Sequence, residues 1–230
     1  MNPRRIVCVG AGPVMHNTSH IQIDPKWDFI IALDGGLDWL LLKEIVPHVF
    51  IGDCDSLTKI NFQWLENSSV QKQYYPKEKD ESDFELASNF IVSQFPTTAP
   101  VLLLNMMGGR TDHFLSNLAI SKQLSLHGFY VEFLGDVEDI IISNGAKPIE
   151  LADSHYTNIS LYPLTEVVSG ITTKNLKYPL HGESLFQNAS RGLSNVPIGE
   201  KCTILHLQGI LAILLVHGGK NENICRHCEH

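Results

Sequence analysis

Short apolar runs recur along the first half of the chain, at Arg5 to Val9, Phe29 to Leu33, Val49 to Ile51 and Val101 to Asn105. Their apolarity is continuous rather than alternating, which predicts strands covered on both faces, as in a parallel sheet. Helical spacing fills the intervals. Leu37 to Val46 follows a Gly-Gly turn, and Ser82 to Phe95 carries Phe84, Ala87, Ile91 and Phe95 on one stripe. Asp112 to His127 carries Leu115, Leu118 and Ala119 and stops at Gly128. Strand and helix in alternation predict an open, mostly parallel α/β sheet.

From about Phe129 the rhythm changes. Tyr130 to Leu134, Asp139 to Ser143, Tyr156 to Leu161, Glu166 to Ile171, Lys201 to Leu207 and Ile210 to Val216 are short and rich in β-branched residues. Asn144-Gly145, Tyr162-Pro163, His181-Gly182 and Gln208-Gly209 punctuate them as turns, and no useful helical window intervenes. That is the pattern of a small all-β unit, a sandwich or a barrel. The expected organisation is an α/β domain over 1–128, a β-sandwich over 129–217 and a mobile tail over 218–230.

Composition narrows the class. With 43% hydrophobic residues in a chain of 230, a sizeable core can form, so a disordered polymer is excluded. The formal charge of −8 disfavours a nucleic-acid partner, which would need cations to release counterions. A phosphate-bearing small molecule stays compatible, because carboxylates can hold it through a divalent cation. Five cysteines without a framework spacing read as reduced thiols. No apolar run is long enough to span a membrane. The chain is expected to be soluble and cytoplasmic.

Four segments at strand ends or helix starts can carry chemistry, and in an open α/β sheet ligands bind there. Asp34-Gly35-Gly36 offers a close backbone approach and a helix N-terminus, or simply a turn capped by Asp34. In Gly52-Asp53-Cys54-Asp55-Ser56, two carboxylates one residue apart can share one hard cation, and they repel without one. In Lys77 to Glu85, Ser82 and Glu85 match a capping box, while Lys79, Asp80 and Asp83 resemble a metal and phosphate cluster. In Met106 to His113, Arg110 suits a bidentate phosphate contact, and Asp112 and His113 open the next helix. Carboxylates mixed with Lys79 and Arg110 at four strand ends point to Mg²⁺-dependent phosphoryl-group chemistry. Walker-type and protein-kinase motifs are absent, and Gly10-Ala11-Gly12 lacks the third glycine of a dinucleotide fingerprint.

Taken in order, these motifs resemble the thiamine pyrophosphokinase (thiamine diphosphokinase) family. Its patterns of Asp-Gly-Gly, Gly-Asp-x-Asp-Ser, Lys-Asp-x-Thr-Asp-x-Glu and Gly-Gly-Arg-x-Asp-His stand here as Asp34 to Gly36, Gly52 to Ser56, Lys79 to Glu85 with Ser82 for Thr, and Gly108 to His113. Ile159 to Leu164, Gly170 to Leu180 and Ser194-Asn195 extend the resemblance into the second half. It implies an α/β nucleotide domain, a C-terminal β-sandwich, and a homodimer with active sites at the subunit interface. It implies transfer of pyrophosphate from ATP to thiamine, with AMP as the other product. By matching position it puts Asp53, Asp55 and Asp83, with Asp80, at Mg²⁺ and phosphates, and Arg110 on phosphate. Asp34, Lys79, Asp112, His113, Ser194 and Asn195 would bind substrate. Cys54 stands where the family has an aromatic or aliphatic residue, and Asn175 where it has Gly.

Two rival readings share parts of this pattern. A pyrophosphokinase acting on a hydroxymethylpterin would keep the Gly-Asp-x-Asp motif and change the acceptor pocket. A non-catalytic thiamine- or nucleotide-binding module would be expected to lack the carboxylates. Cys225 and Cys228 form a lone Cys-x-x-Cys without further ligands at defined spacing, so no metal site is assigned to them. Trp27, Trp39 and Trp64 read as core.

Overall fold

The computed structural model describes residues 3–16, 21–152, 156–199 and 201–218. The expected tail, with Cys225 and Cys228, lies outside the described residues beyond Gly218. In chain order the elements are β1 (Arg5–Val9), β2 (Asp28–Leu33), α1 (Gly36–Leu42), β3 (Val49–Gly52), α2 (Lys59–Asn67), β4 (Gln71–Tyr74), α3 (Asp83–Gln94), β5 (Val101–Leu104) and α4 (Thr111–Leu126). There follow β6 (Val131–Leu134), β7 (Glu138–Ser143), β8 (Ile149–Ala152), β9 (Tyr156–Pro163), β10 (Val167–Lys174), β11 (His181–Phe186), β12 (Lys201–Leu205) and β13 (Leu211–His217).

Nine strands form one sheet in the order β4-β3-β2-β1-β5-β6-β7-β13-β9. Every pairing from β4 to β6 is parallel. The continuous apolarity of these strands has a direct cause, because successive residues enter two different cores. Ile6, Cys8, Ile31, Val49, Val101 and Leu103 pack with Phe84, Ala87 and Ile91 of α3 and with Leu124 of α4. Val7, Val9, Ile30, Ala32 and Phe50 pack on the other face with Leu37 and Leu40 of α1 and Leu65 of α2. Burial of a side chain of this size contributes about 1.5–3 kcal/mol, so the layered arrangement is strongly favoured over one open face.

The β half does not stand apart. Tyr130 to Leu134, read as the opening of the all-β unit, forms β6 in parallel register with β5, Val101 opposite Val131. It therefore extends the parallel sheet. β7, β13 and β9 continue that sheet with antiparallel pairing. Their inner residues Ile141, Ile159, Leu161, Leu211, Ile213 and Leu215 meet Val168, Ile171, Leu185 and Ile204 of a second sheet, ordered β11-β10-β12-β8. The sandwich is thus built on a floor it shares with the α/β half.

Some elements depart from the periodicity reading. The helix expected to Val46 ends at Leu42 with Glu44 at φ +58, and Val46 precedes Pro47, which disfavours helical backbone. α2, β4, β8 and β11 have no apolar run to announce them; β4 is Gln-Lys-Gln-Tyr at the sheet edge, where polar residues are tolerated. Trp27 is 63% exposed rather than core, because it lies in the turn before β2. Trp39 is buried as expected.

Glu132 of β6 sits beside Asp139 and Tyr130 inside the sandwich edge. Burial, followed by the Asp139 charge, pushes its carboxyl up to about 7. Its folded pKa thus exceeds its ordinary value of 4.5, so its favourable contribution is complete below that value and is lost as pH rises towards 7 and beyond. Glu132→Gln is expected to unfold at higher denaturant concentration than the parent at pH 8, and at a similar one at pH 4.5. Parallel urea titrations of both proteins at the two pH values check this.

Candidate functional site

The parallel strands end at a single cleft of about 630 Å³. Two close approaches bring its acidic wall together. A Cβ on Gly36 would stand 2.0 Å from Val9 O, so only glycine lets α1 start against β1. A Cβ on Gly52 would stand 3.0 Å from Asp34 Cβ, so glycine also lets the end of β3 lie against Asp34. Asp34, Asp53 and Asp55 consequently present carboxylate oxygens that all lie within 4.8 Å of one another.

Asp34 has φ +42 and does not cap α1, which has no side-chain cap among the described residues. The turn-capping alternative therefore fails. Instead Asp34 is 7% exposed and its Oδ1 is buried with no hydrogen-bond partner among the described residues. A buried carboxylate oxygen without a donor, beside two further carboxylates, is a poor arrangement for the protein alone and a fitting one for a hard cation. Asp53 Oδ1 accepts from the Asp55 backbone N–H at 3.1 Å, which orients this turn.

Cations already lean on the cluster. Lys77 Nζ lies 2.5 Å from Asp55 Oδ2. Its ammonium, with help from Ser56, holds the Asp55 carboxyl below the usual range. Lys79 Nζ lies 3.1 Å from Asp83 Oδ1, with Lys79 largely covered. Burial pushes the Asp83 carboxyl up, Lys79 pulls against it, and Asp34 and Asp53 add to the rise. Cys54, at φ +66 between the two aspartates, is pushed up to about 11, first by burial and then by Asp34, so it stays a neutral thiol. Ser82 caps α3 by accepting from the Glu85 N–H at 3.2 Å, as its spacing predicts.

Across the cleft, Arg110 grips Asp112 through Nη2 at 2.6 Å and Nε at 3.1 Å. That pairing, against an opposing desolvation and with help from the His113 N–H, lowers Asp112 to about 2. Asp112 is not the cap of α4; it sits in the helix's first turn, and His113 lines the cleft beside it.

Of the residues singled out in the sequence, Asp34, Asp53, Asp55, Lys79, Asp83, Arg110 and His113 line this one cleft. Asp34, expected at the substrate, belongs with the carboxylate cluster. Asp80, expected at the metal, is exposed and joins neither the cluster nor the cleft lining, because it precedes the cap of α3. Ser194 and Asn195 do not line the cleft either. Asn195 is 6% exposed and its amide is committed, accepting from Tyr178 N at 3.0 Å and Val196 N at 2.9 Å and donating to Tyr178 O at 2.7 Å. It holds a turn, and Ser194 beside it takes φ +54. Gly10 to Gly12, weighed in the sequence only as a dinucleotide fingerprint, also line the cleft, as do Pro13, Asn105 and Asn117, to which the sequence assigned no role. Gly10 to Pro13 and Asn105 are marked by their position just after β1 and β5, while Asn117 comes from α4, where it donates to Met106 O at 3.0 Å.

Comparison with known proteins adds an independent line. The family model described as thiamin pyrophosphokinase, catalytic domain, matches residues 22–131. The one described as thiamin pyrophosphokinase, vitamin B1 binding domain, matches residues 148–211. The thiamine pyrophosphokinase of Bacillus subtilis (strain 168) is 27% identical over 185 residues, spanning 80% of this chain and 85% of that protein. The crystal structure of the Bacillus subtilis thiamine pyrophosphokinase superposes with a TM-score of 0.81 at 23% identity, over 94% of this chain and 100% of that one. That of the Geobacillus thermodenitrificans protein gives 0.78 at 23% identity, over 94% and 98%. At such identities the structural likeness is one of fold.

The Asn195 lock yields a prediction. Asn195→Ala leaves the Tyr178 N–H and C=O unpaired and is expected to cost about 1–3 kcal/mol of stability. The loss should appear in chemical denaturation of the free protein, with no ligand present. Unchanged stability with weakened substrate binding would instead make Asn195 a ligand contact.

Proposed function

The chain belongs to the thiamine pyrophosphokinase family, and from that premise we propose that it transfers pyrophosphate from ATP to the hydroxyl of thiamine, giving thiamine diphosphate and AMP. The observation that carries this reading is the buried, unpartnered Asp34 Oδ1 within a three-carboxylate cluster, on a cleft that also holds Lys79 and Arg110. Such a cleft suits a polyphosphate bridged by a divalent cation, and lacks the basic surface a nucleic acid would need.

In the reaction the thiamine hydroxyl oxygen attacks the β-phosphorus in line. A new O–P bond forms, the bond from the β-phosphorus to the bridging oxygen of AMP breaks, and AMP leaves with the electron pair. The hydroxyl proton passes to solvent water as the bond forms. Asp34, Asp53 and Asp55 are the residues that would hold Mg²⁺, which when bound neutralises charge on the triphosphate and polarises it. Lys79, kept in place by Asp83, supplies a fixed positive charge at the phosphates. Arg110 has a bidentate fork that suits phosphate as well as it suits Asp112. When Arg110 turns to phosphate, Asp112 is released as an ionised carboxylate, a suitable neighbour for the thiamine cation. His113 completes that wall. Alignment of the two substrates along one line accounts for much of the rate enhancement.

Ser194 enters this reading through a second copy of the chain. The turn that carries it is surrounded by exposed apolar side chains, Tyr178, Leu193, Val196 and Ile198. A patch of this kind on a monomer is unfavourable and supports a homodimer whose partner brings Ser194 to the cleft. The free thiols Cys8, Cys54 and Cys202 suit a reducing compartment such as the cytoplasm. Among the described residues no helix is long and apolar enough to cross a membrane.

Purified protein with Mg-ATP and thiamine is expected to form AMP and thiamine diphosphate in equal amounts, and EDTA should abolish the reaction. Asp53→Asn is expected to lower kcat by about 100-fold or more with the fold retained by circular dichroism. Turnover with a hydroxymethylpterin but not thiamine would replace the acceptor. Thermal stabilisation by thiamine without ATP consumption would make the protein a binding module. Analytical ultracentrifugation should give a dimer mass; full activity as a monomer would overturn the shared site.

A further inference from the structure

The lining of the cleft is unevenly charged. Asp34, Asp53, Asp55, Lys79 and Asp83 gather on one side, and Arg110 and His113 stand on another. Where β1 and β5 end, the lining is uncharged and consists of Gly10 to Pro13, Asn105 and Met106. β5 lies two strands away from β2, a separation of about 10 Å. A ligand atom at Asn105, at the end of β5, is therefore removed from phosphates held at the carboxylates after β2 and β3.

Asn105 is 3% exposed and takes φ +56, a conformation that asparagine tolerates better than other side-chain-bearing residues. Its backbone carbonyl accepts from the Gly12 N–H at 2.9 Å. A Cβ on Gly12 would stand 2.4 Å from that oxygen, so the loop after β1 lies directly against Asn105. Its side-chain Oδ1 accepts from the Met15 N–H at 2.9 Å. An N–H must meet an acceptor, so this bond fixes the amide's orientation and leaves Nδ2 as the free end. Nδ2 is buried with no hydrogen-bond partner among the described residues. Buried donors are almost always paired, and one left open in the wall of a ligand cleft calls for an acceptor from the ligand.

We propose that Asn105 is a substrate-contacting residue, whose Nδ2 donates to an acceptor on the uncharged nucleoside portion of ATP, a ring nitrogen or a ribose oxygen. The uncharged lining around it is compatible with that portion. Asn105 then fixes the nucleoside end of the donor while the carboxylates fix the polyphosphate end. Its bonds to Gly12 and Met15 hold the amide ready before the ligand arrives. This inference rests on the ATP-dependent reading above.

The test uses calorimetric titration of the full chain with three probes in Mg²⁺: α,β-methylene-ATP, inorganic tripolyphosphate and thiamine. Asn105→Asp keeps an acceptor for the Met15 N–H and replaces the donor by an oxygen. Asn105→Gly suits φ +56, removes the amide without adding charge, and serves if the aspartate variant does not fold. Both variants are expected to bind α,β-methylene-ATP about 10-fold more weakly than the parent. Tripolyphosphate should weaken less in each, since added charge acts on both ligands, and thiamine affinity should not change. In turnover, KM for ATP should rise more than kcat falls. Parent-like affinity for α,β-methylene-ATP in both variants would overturn the proposal, as water would then satisfy Nδ2. An equal loss for tripolyphosphate, or a loss confined to thiamine, would overturn it by moving the contact to phosphate or acceptor. If the parent itself binds tripolyphosphate but not the nucleotide, the ATP reading fails and the Asn105 contact with it.

Discussion

Asp34, Asp53 and Asp55 repel one another, and the architecture holds them within 4.8 Å regardless. Like charges at that separation are unfavourable unless positive charge lies among them. Asp34 has no donor for its buried Oδ1 among the described residues, while Lys77 already offers its ammonium to Asp55. The parallel sheet makes this arrangement possible. β2 and β3 are neighbours pointing the same way, so their carboxyl ends deliver Asp34 and Asp53 to one place, and glycine at 52 removes the Cβ that would keep them apart.

The same sheet supplies the rigidity the cluster needs. Its strands are covered on both faces by helices, and beyond β6 it becomes the floor of the sandwich without a break. A cleft at the end of such a sheet sits on backbone that is expensive to move, which suits the alignment of two substrates. It also ties the β half mechanically to the catalytic half. β6 belongs to the parallel sheet by pairing, although its residues open the β-rich stretch of the sequence.

In the proposed reaction the acidic wall would hold a cation, the basic groups Lys79 and Arg110 the phosphates, and Asn105 the uncharged nucleoside. This division follows from which strand ends where. Arg110 and Asp112 hold each other in the free protein, so the proposed phosphate contact would exchange one partner of Arg110 for another and uncover a carboxylate. Asn195, with its amide fully used by Tyr178 and Val196, shapes the turn that presents Ser194.

The sequence by itself determined the fold class, the buried strands, the helices α3 and α4, and the four motifs, because continuous apolar runs, helical stripes and Gly-Gly turns are local signals. It also determined the chemistry on offer, since carboxylates one residue apart at a strand end read as cation ligands in any such sheet. Edge strand β4 and the strands β8 and β11 stayed hidden, their few apolar positions making no local pattern. Only the tertiary structure decided which motifs meet. It joined Asp34 to the Asp53-Asp55 pair and left Asp80 outside. It turned the Asn195 amide inward, and it left the Asn105 donor, in a residue lining the cleft, without a partner among the described residues. These outcomes depend on strand order and on contacts between residues 18 to 90 positions apart in the chain, such as Asp34 with Gly52 and Met15 with Asn105. Spacing along a sequence carries no trace of them, because the sheet, not the chain, sets the distance.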